Sequence, residues 1–283
     1  MFAETTEPLL PTVALGGHRI SRLIVGGNPI SGISHTSPAL DWEMLRYYTM
    51  PNLQALLDRC LACGINTIQS RGDRHQMRMI LEHRERGGTI QWIAQTASEF
   101  RDIPANISKI ASFGPIAIYH HGTHVDNRWH AGCIDEVGDI LKHIQDTGLP
   151  VGLCTHIPEV VEYAEETNWP IDFYMCCLYN LAPGPKRVAA VEGVDPDEKF
   201  HDADRDLMAR VIQQVKKPVL AFKALAASRN CATPEAVREA LKYAYDHIKP
   251  TDAVVAGMFQ KHTDQVAENA AIVRDLLATA SPD

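Results

Sequence analysis

Short, nearly unbroken apolar runs recur along the chain, each followed by a longer stretch whose apolar positions are three and four apart. The runs are Arg22–Gly26, Ile65–Gln69, Ile90–Ala94, Pro115–His120, Val151–Thr155, Asp172–Cys177, Val219–Lys223 and Ala253–Gly257. Rich in Val, Ile, Leu, Phe and Ala, with little polar alternation, they have the pattern of strands buried on both faces. The stretches between them predict amphipathic helices. Ile134, Val137, Leu141 and Ile144 share one face, and Val237, Ala240, Leu241 and Ala244 another. Thr233-Pro234 predicts a helix start, an N-cap hydroxyl followed by proline at the first helical position. Ahead of the first run, Thr12–Leu15 and His18–Ser21 flank Gly16-Gly17, the pattern of a small hairpin.

Eight strand-and-helix repeats without a composition break predict one domain over residues 1–283, an α/β chain closed into a (β/α)8 TIM barrel with a short N-terminal β-hairpin. An open doubly wound sheet is the alternative, but no GxGxxG follows the first run. Helix-to-strand connections are short, as at Asp146–Pro150, Lys216–Pro218 and Lys249–Thr251, whereas two strand-to-helix connections are long. These run from Gly27 to Met50 and from Leu178 to Asp202, the second rich in Pro and Gly. In a barrel such loops lie on the catalytic face, so the carboxyl ends of the runs supply the site candidates. They are Asn28, Gln69, Gln95, His120, His121, Cys154, His156, Cys177, Tyr179, Lys223 and Gly257.

Composition narrows the partners. The 283 residues are 45% apolar and 22% charged, with a net charge of -8, ordinary globular values that offer no basic stripe for nucleic acid. No apolar run approaches the roughly 20 residues that span a bilayer, and the first residues lack the basic region and apolar core of a signal peptide. Seven cysteines without a disulfide-like rhythm fit reduced thiols, so a cytoplasmic protein acting on a small molecule is expected. Cys60 and Cys63 form a CxxC but continue the Leu53, Leu56, Leu57 stripe, which favours core packing over a zinc site.

Several segments resemble the aldo-keto reductase superfamily, in that family's order and over nearly the whole chain. Leu15–Gly27 is similar to its hairpin and first strand, and Gly64–Gln69 to its second. Val151–Glu159 is similar to the fifth-strand pattern G-x-S-N-F-x-P-E, Ile171–Leu181 to the sixth strand, and Val255–Met258 with Gln265–Asn269 to the cofactor-phosphate region. The resemblance implies a barrel and NADP(H) chemistry, yet the catalytic set is eroded. Gln69 stands where the family has Asp, Arg74 where it has Tyr, and Gln91–Ser98 contains no lysine. Only the fourth-strand His has a counterpart, His120. The nicotinamide-amide contacts become Cys154, Thr155 and Cys176, while Phe222 keeps the aromatic that stacks on the nicotinamide. Carbonyl reduction needs a hydroxyl acid to protonate the alkoxide as hydride arrives, and that acid is missing.

Four groups of residues remain. His120, His121, His124, Asp126 and His156 stand at adjacent strand ends; two imidazoles, His120 and His156, with one oxygen could hold Mn²⁺, Zn²⁺ or Fe²⁺, or the set forms a metal-free polar cluster. Gln69-Ser-Arg-Gly-Asp-Arg-His75 offers Arg71 and Asp73 to a substrate, the alternative being an Asp73 helix cap with surface-paired arginines. Lys223 could stabilise an enolate, form a Schiff base, contact an anion, or be structurally paired. Tyr179 could donate a proton or simply pack. Arg229, Lys261, His262 and Asn269, with Gly257, lie where a barrel binds phosphate and where NADP would sit if retained. The expectation is a lyase or isomerase abstracting a proton beside a carbonyl of a small keto or hydroxy, sugar-like substrate, with or without a metal. His120 or His156 would be base or ligand, Lys223 the enolate stabiliser, and Arg71, with Asn28, His121 and His124 nearby, the anchor. The rivals are an NADP(H)-dependent oxidoreductase with His120 as proton donor, and a barrel that only binds a ligand.

Overall fold

A computed structural model describes residues 10–182 and 200–278. Most of the second long loop, residues 183–199, and the start of the chain lie outside the described residues. The predicted hairpin forms with the expected bounds, β1 (Thr12–Leu15) paired antiparallel with β2 (His18–Ser21). Eight parallel strands then follow: β3 (Leu23–Gly26), β4 (Thr67–Arg71), β5 (Gln91–Gln95), β6 (Ala117–His120), β7 (Val151–Thr155), β8 (Phe173–Cys177), β9 (Val219–Phe222) and β10 (Ala253–Gly257). They close in sequence order, β10 pairing with β3, into a (β/α)8 barrel.

Two apolar layers follow from strand alternation, since successive side chains point to opposite faces. Ile24, Ile93, Ala117, Tyr119, Cys154, Phe173, Met175, Leu220 and Val255 fill the inside of the barrel. Leu15 and Ile20 of the hairpin join this cluster, so the hairpin closes the end opposite the active loops. Gly152 makes room there, because a Cβ at this position would run into the Phe173 ring and the Cβ of Tyr119. The other strand face packs on the helices. Ile68, Trp92, Ile118 and Leu153 meet helix residues that include Leu57, Cys60, Ile80, Ile110, Leu141 and Ile144. Cys60 and Cys63 are buried in this layer, as the apolar stripe predicts. Thr233 caps the helix Pro234–His247 by accepting from the Ala236 N–H, with proline at the first turn.

The helix count departs from the simple repeat: ten α-helices are found among the described residues, where eight repeats predict eight. The extra ones lie in strand-to-helix connections. The loop after β3 contains the 3-10 turn Pro29–Ser31 and the helix Pro38–Tyr47, held down by Tyr47 and Tyr48, which donate to the Gln260 and Met258 carbonyls. The connection after β6 contains the helix Gly122–His130 ahead of the expected Glu136–Gln145. Its sequence, Gly-Thr-His-Val-Asp-Asn-Arg-Trp-His, has too few apolar positions to announce a helix, and packing supplies what periodicity lacks: Thr123, Val125 and Asp126 are buried. Among the described residues no helix is long and apolar enough to cross a membrane.

Candidate active site

The candidate residues gather at the carboxyl mouth of the barrel, and strand register decides which of them face the axis. On β6, Tyr119 belongs to the interior cluster, so His120 turns outward to the helix layer. There its Nδ1 lies 3.0 Å from the Thr96 hydroxyl, and its ring meets His124 edge-on at 5.6 Å. Burial, with His124 and Arg128 nearby, pushes His120 down to about 3, so it stays neutral. The position expected to retain the catalytic imidazole thus faces away from the axis, and Tyr119 takes the inward place. Gln69 points inward from β4 and donates to the Tyr119 hydroxyl, whose own pKa burial raises.

One residue later the side chain returns to the mouth. His121 is extended (φ -62, ψ 127) and serves as N-cap of the helix Gly122–His130, its Nδ1 accepting from the Thr123 N–H at 3.1 Å. Its ring lies 5.7 Å from His124. Burial and the neighbouring His124, Arg71 and His156 push it well below the usual histidine range. His124, between the two other imidazoles, bonds to the Ser98 backbone and is also lowered, chiefly by burial.

The most completely built feature joins this helix to the end of β7. Asp126 is 1% exposed. Its Oδ1 accepts from the Thr155 hydroxyl at 2.6 Å and from the His156 N–H at 3.3 Å, and its Oδ2 from His156 Nδ1 at 2.7 Å. A carboxylate on Nδ1 fixes the tautomer and leaves Nε2 as the accepting nitrogen of the neutral ring. The ring stands edge-on to Phe222 at 5.5 Å, and it also borders a cavity of about 190 Å³ that lies between the helices Pro158–Glu166 and Asp202–Gln214, walled by Glu159, Glu162, Leu207 and Arg210. Gly122 lets the helix approach this closely, since a Cβ there would sit 2.9 Å from Cys154 Sγ and 3.4 Å from His156 Cε1. Buried Cys154 has its thiol pKa raised by desolvation, so it is no ready nucleophile.

The other predicted residues spread around the mouth. Arg71 points inward beyond Gln69, 8% exposed, paired with Glu99 and, at 3.4 Å, with Asp73. Asp73 caps the helix Arg74–Glu85 by accepting from the Gln76 N–H, the structural role weighed for it beside substrate binding. Asn28 lies 3.3 Å from His35 Nε2. Lys223 has a left-handed backbone (φ 62) and holds its ammonium 5.7 Å from the Phe200 ring. Tyr179 is buried, packs edge-on against Phe200 and receives a bond from Asn230 at 3.4 Å. Gly257 presses on Pro29, with no room for a side chain.

The residues expected around a cofactor do not converge. Thr155 is committed to Asp126, and Cys176 is buried in the outer apolar layer. Lys261 and His262 both bond Glu43 on the surface. Arg229 stacks 4.2 Å over Phe200 and donates to the Ala226 and Ala227 carbonyls, and Asn269 is buried on its helix. Among the described residues Phe222 keeps the form of a nicotinamide contact, while the basic residues expected at the phosphates are engaged with Glu43, the Phe200 ring and backbone carbonyls. His120 and His156 both commit Nδ1 to protein partners, and no group of three His, Cys, Asp or Glu is placed to hold a metal among the described residues. Sequence reasoning missed Tyr119, Thr96 and the structural part played by Thr155, because neither a tyrosine inside an apolar run nor isolated threonines carry a spacing signal.

No protein-family profile matches the chain, and no curated protein matches it in sequence. Solved structures do match in fold. The aldo-keto reductase AKR11C1 from Bacillus halodurans aligns over 97% of this chain and 92% of its own at 15% identity, with a TM-score of 0.59. Gox0644 aligns over 97% and 95% at 9% identity, with a TM-score of 0.57. A truncated 3-deoxy-D-arabino-heptulosonate 7-phosphate synthase from Thermotoga maritima aligns over 98% and 94% at 11% identity, with a TM-score of 0.55. At such identities the similarity establishes the TIM-barrel fold, which this chain shares with a reductase and a synthase alike.

Proposed function

We propose that this barrel is a lyase or isomerase that abstracts a proton beside the carbonyl of a small keto or hydroxy, sugar-like substrate, with His156 as the base. The observation that carries this reading is the Asp126–His156 pair: a buried carboxylate at 2.7 Å from Nδ1 of an imidazole that directly follows the carboxyl end of β7 and stands beside Phe222. Such a carboxylate orients the ring, selects the tautomer with Nε2 free to accept a proton, and stabilises the imidazolium that forms. Arg71, fixed by Asp73 and Glu99, serves as substrate anchor, and Lys223 adds positive charge on the other side of the mouth. The oxidoreductase alternative rests on Phe222 alone.

The test is proton exchange. Small hydroxyketones, keto acids and keto sugars are incubated with the protein in D2O, and loss of the α-proton is followed by NMR. Exchange that disappears in His156→Ala supports the reading; exchange undiminished in that variant removes His156 from the mechanism.

A further inference from the structure

A base that takes a proton from carbon needs a partner on the carbonyl oxygen, because the electron pair released at carbon ends there. The arrangement of His121 supplies one. It follows Tyr119 by two residues in extended backbone, so its side chain falls on the inward face that Tyr119 occupies one layer below. Its electrostatic neighbours include Arg71 and His156, both at the mouth. Nδ1 accepts the Thr123 N–H at 3.1 Å. An imidazole that accepts at Nδ1 carries its proton on Nε2, the nitrogen directed away from the helix.

Histidine is an unusual choice for this cap. Ser, Thr, Asp and Asn satisfy a free helix N–H better, and Asp73, Asp102, Ser37 and Thr233 do so elsewhere in this chain. Imidazole caps the helix with one nitrogen and presents a donor with the other, held by the rigid ring farther from the backbone than an asparagine amide reaches. The cap also discourages protonation, since Nδ1 already receives an N–H and the helix N-terminus is itself partly positive. His156 is built the opposite way: a carboxylate holds its Nδ1–H, so its Nε2 accepts. One acceptor and one donor of complementary tautomer therefore stand on adjacent strand ends.

We propose that His121 is the electrophile of this site, a neutral imidazole whose Nε2–H donates to the substrate carbonyl oxygen and to the enolate or enediolate that follows. The inference rests on the proton-abstraction reading. In the step, the C–H bond breaks and its proton goes to His156 Nε2. Its electron pair forms the new C=C bond while the carbonyl π pair moves onto oxygen, where His121 holds it. Return of the proton to the same carbon gives exchange or epimerisation. Its delivery to the former carbonyl carbon, with a proton passed between the two oxygens, gives isomerisation. Burial keeps the ring neutral, and a neutral imidazole matches an enediol in acidity better than an imidazolium, so it can hold the oxygen without protonating it prematurely.

The test has two arms. In the first, the full-length protein is labelled with ¹⁵N-histidine, and His121 is assigned by its absence in His121→Asn. The expected signal is a neutral ring protonated at Nε2 from pH 8 down to pH 5; a ring protonated at Nδ1, or charged at pH 7, overturns the proposal. Addition of glycolohydroxamate, an enediolate mimic, is expected to shift that Nε2 resonance, and an unmoved resonance also overturns it. This arm needs no turnover, so it stays readable if no substrate exchanges and the proton-abstraction reading itself fails. In the second arm, His121→Ser keeps a good cap and hence the melting temperature, while kcat for exchange falls about 10²–10³-fold, the loss typical of one oxyanion donor, with KM within threefold. A kcat within threefold of wild type assigns His121 to capping alone.

Discussion

Asp126 and His156 lie thirty positions apart, and two contacts join them, the His156 N–H to Oδ1 and Nδ1 to Oδ2, of which only the second bears on the ring's proton. Removing the charge while keeping the shape isolates it. In Asp126→Asn the side-chain amide can present an N–H to Nδ1, which favours the opposite tautomer and puts the proton on Nε2, where the base must accept. The expected result is a fall in kcat of roughly 10²–10⁴-fold. The loss of hydrogen bonds around a buried group adds a stability cost of about 1–3 kcal/mol. Steady-state kinetics and urea unfolding read the two effects separately. Gln69 and Tyr119 offer a second residue-scale check. Tyr119→Phe removes the hydroxyl that receives the Gln69 amide, leaving that amide partly unsatisfied inside the barrel. A loss of about 1–3 kcal/mol in unfolding free energy is expected, with kcat little changed if the pair is only the floor of the site.

The helix Gly122–His130 is the element on which the site depends. It carries His121 at its cap and Asp126 on its buried side, and it reaches β7 through the space that Gly122 leaves open. Gly122→Ala places a methyl 2.9 Å from Cys154 Sγ and 3.4 Å from His156 Cε1. The helix or the His156 ring must then shift. A displacement approaching 1 Å costs about 10²-fold in rate, and the overpacking costs about 1–3 kcal/mol; kcat and the melting temperature measured on one preparation check both. This helix also shows what a sequence can and cannot announce. The barrel strands are visible because being buried on both faces demands unbroken apolar runs, and the expected bounds fall within about two residues of those found. The site helix is invisible because its buried face is Thr123, Val125 and Asp126, two of them polar, so no apolar stripe marks it. His156 was legible as following a strand end, while Gln69, expected at the end of its strand, lies within β4, which runs on to Arg71. That Tyr119 rather than His120 faces inward was not, because a one-residue change of register reverses every side chain and leaves composition untouched.

At the scale of the whole molecule, buried histidines set the response to acid. His120 is pushed down to about 3 from an ordinary 6.5, and His83, His121 and His124 are lowered too, with burial the largest cause in each case. Below pH 6.5 the unfolded chain binds protons that these folded sites refuse. Stability is therefore full above that pH and declines as pH falls toward each lowered folded value, by about 1.4 kcal/mol per pH unit for each group. Urea unfolding between pH 7.5 and 5 is expected to show this slope, and His120→Gln to reduce it by about one proton. The carboxylates Glu43, Glu165 and Asp264 are also lowered and act below the ordinary carboxylate values, whereas buried Asp252 is raised and opposes the histidine slope as it takes up a proton in the folded state. The barrel itself is common to enzymes of many chemistries, and the central claim for this one is that a paired histidine at the mouth moves a carbon-bound proton. The most direct measurement is solvent deuterium incorporation at the α-carbon of a hydroxyketone panel, with wild type, His156→Ala and Asp126→Asn side by side. The account predicts incorporation by the wild type, none by His156→Ala, and a rate reduced by at least 10²-fold in Asp126→Asn. Equal incorporation by all three proteins, or turnover that requires NADPH, would contradict it.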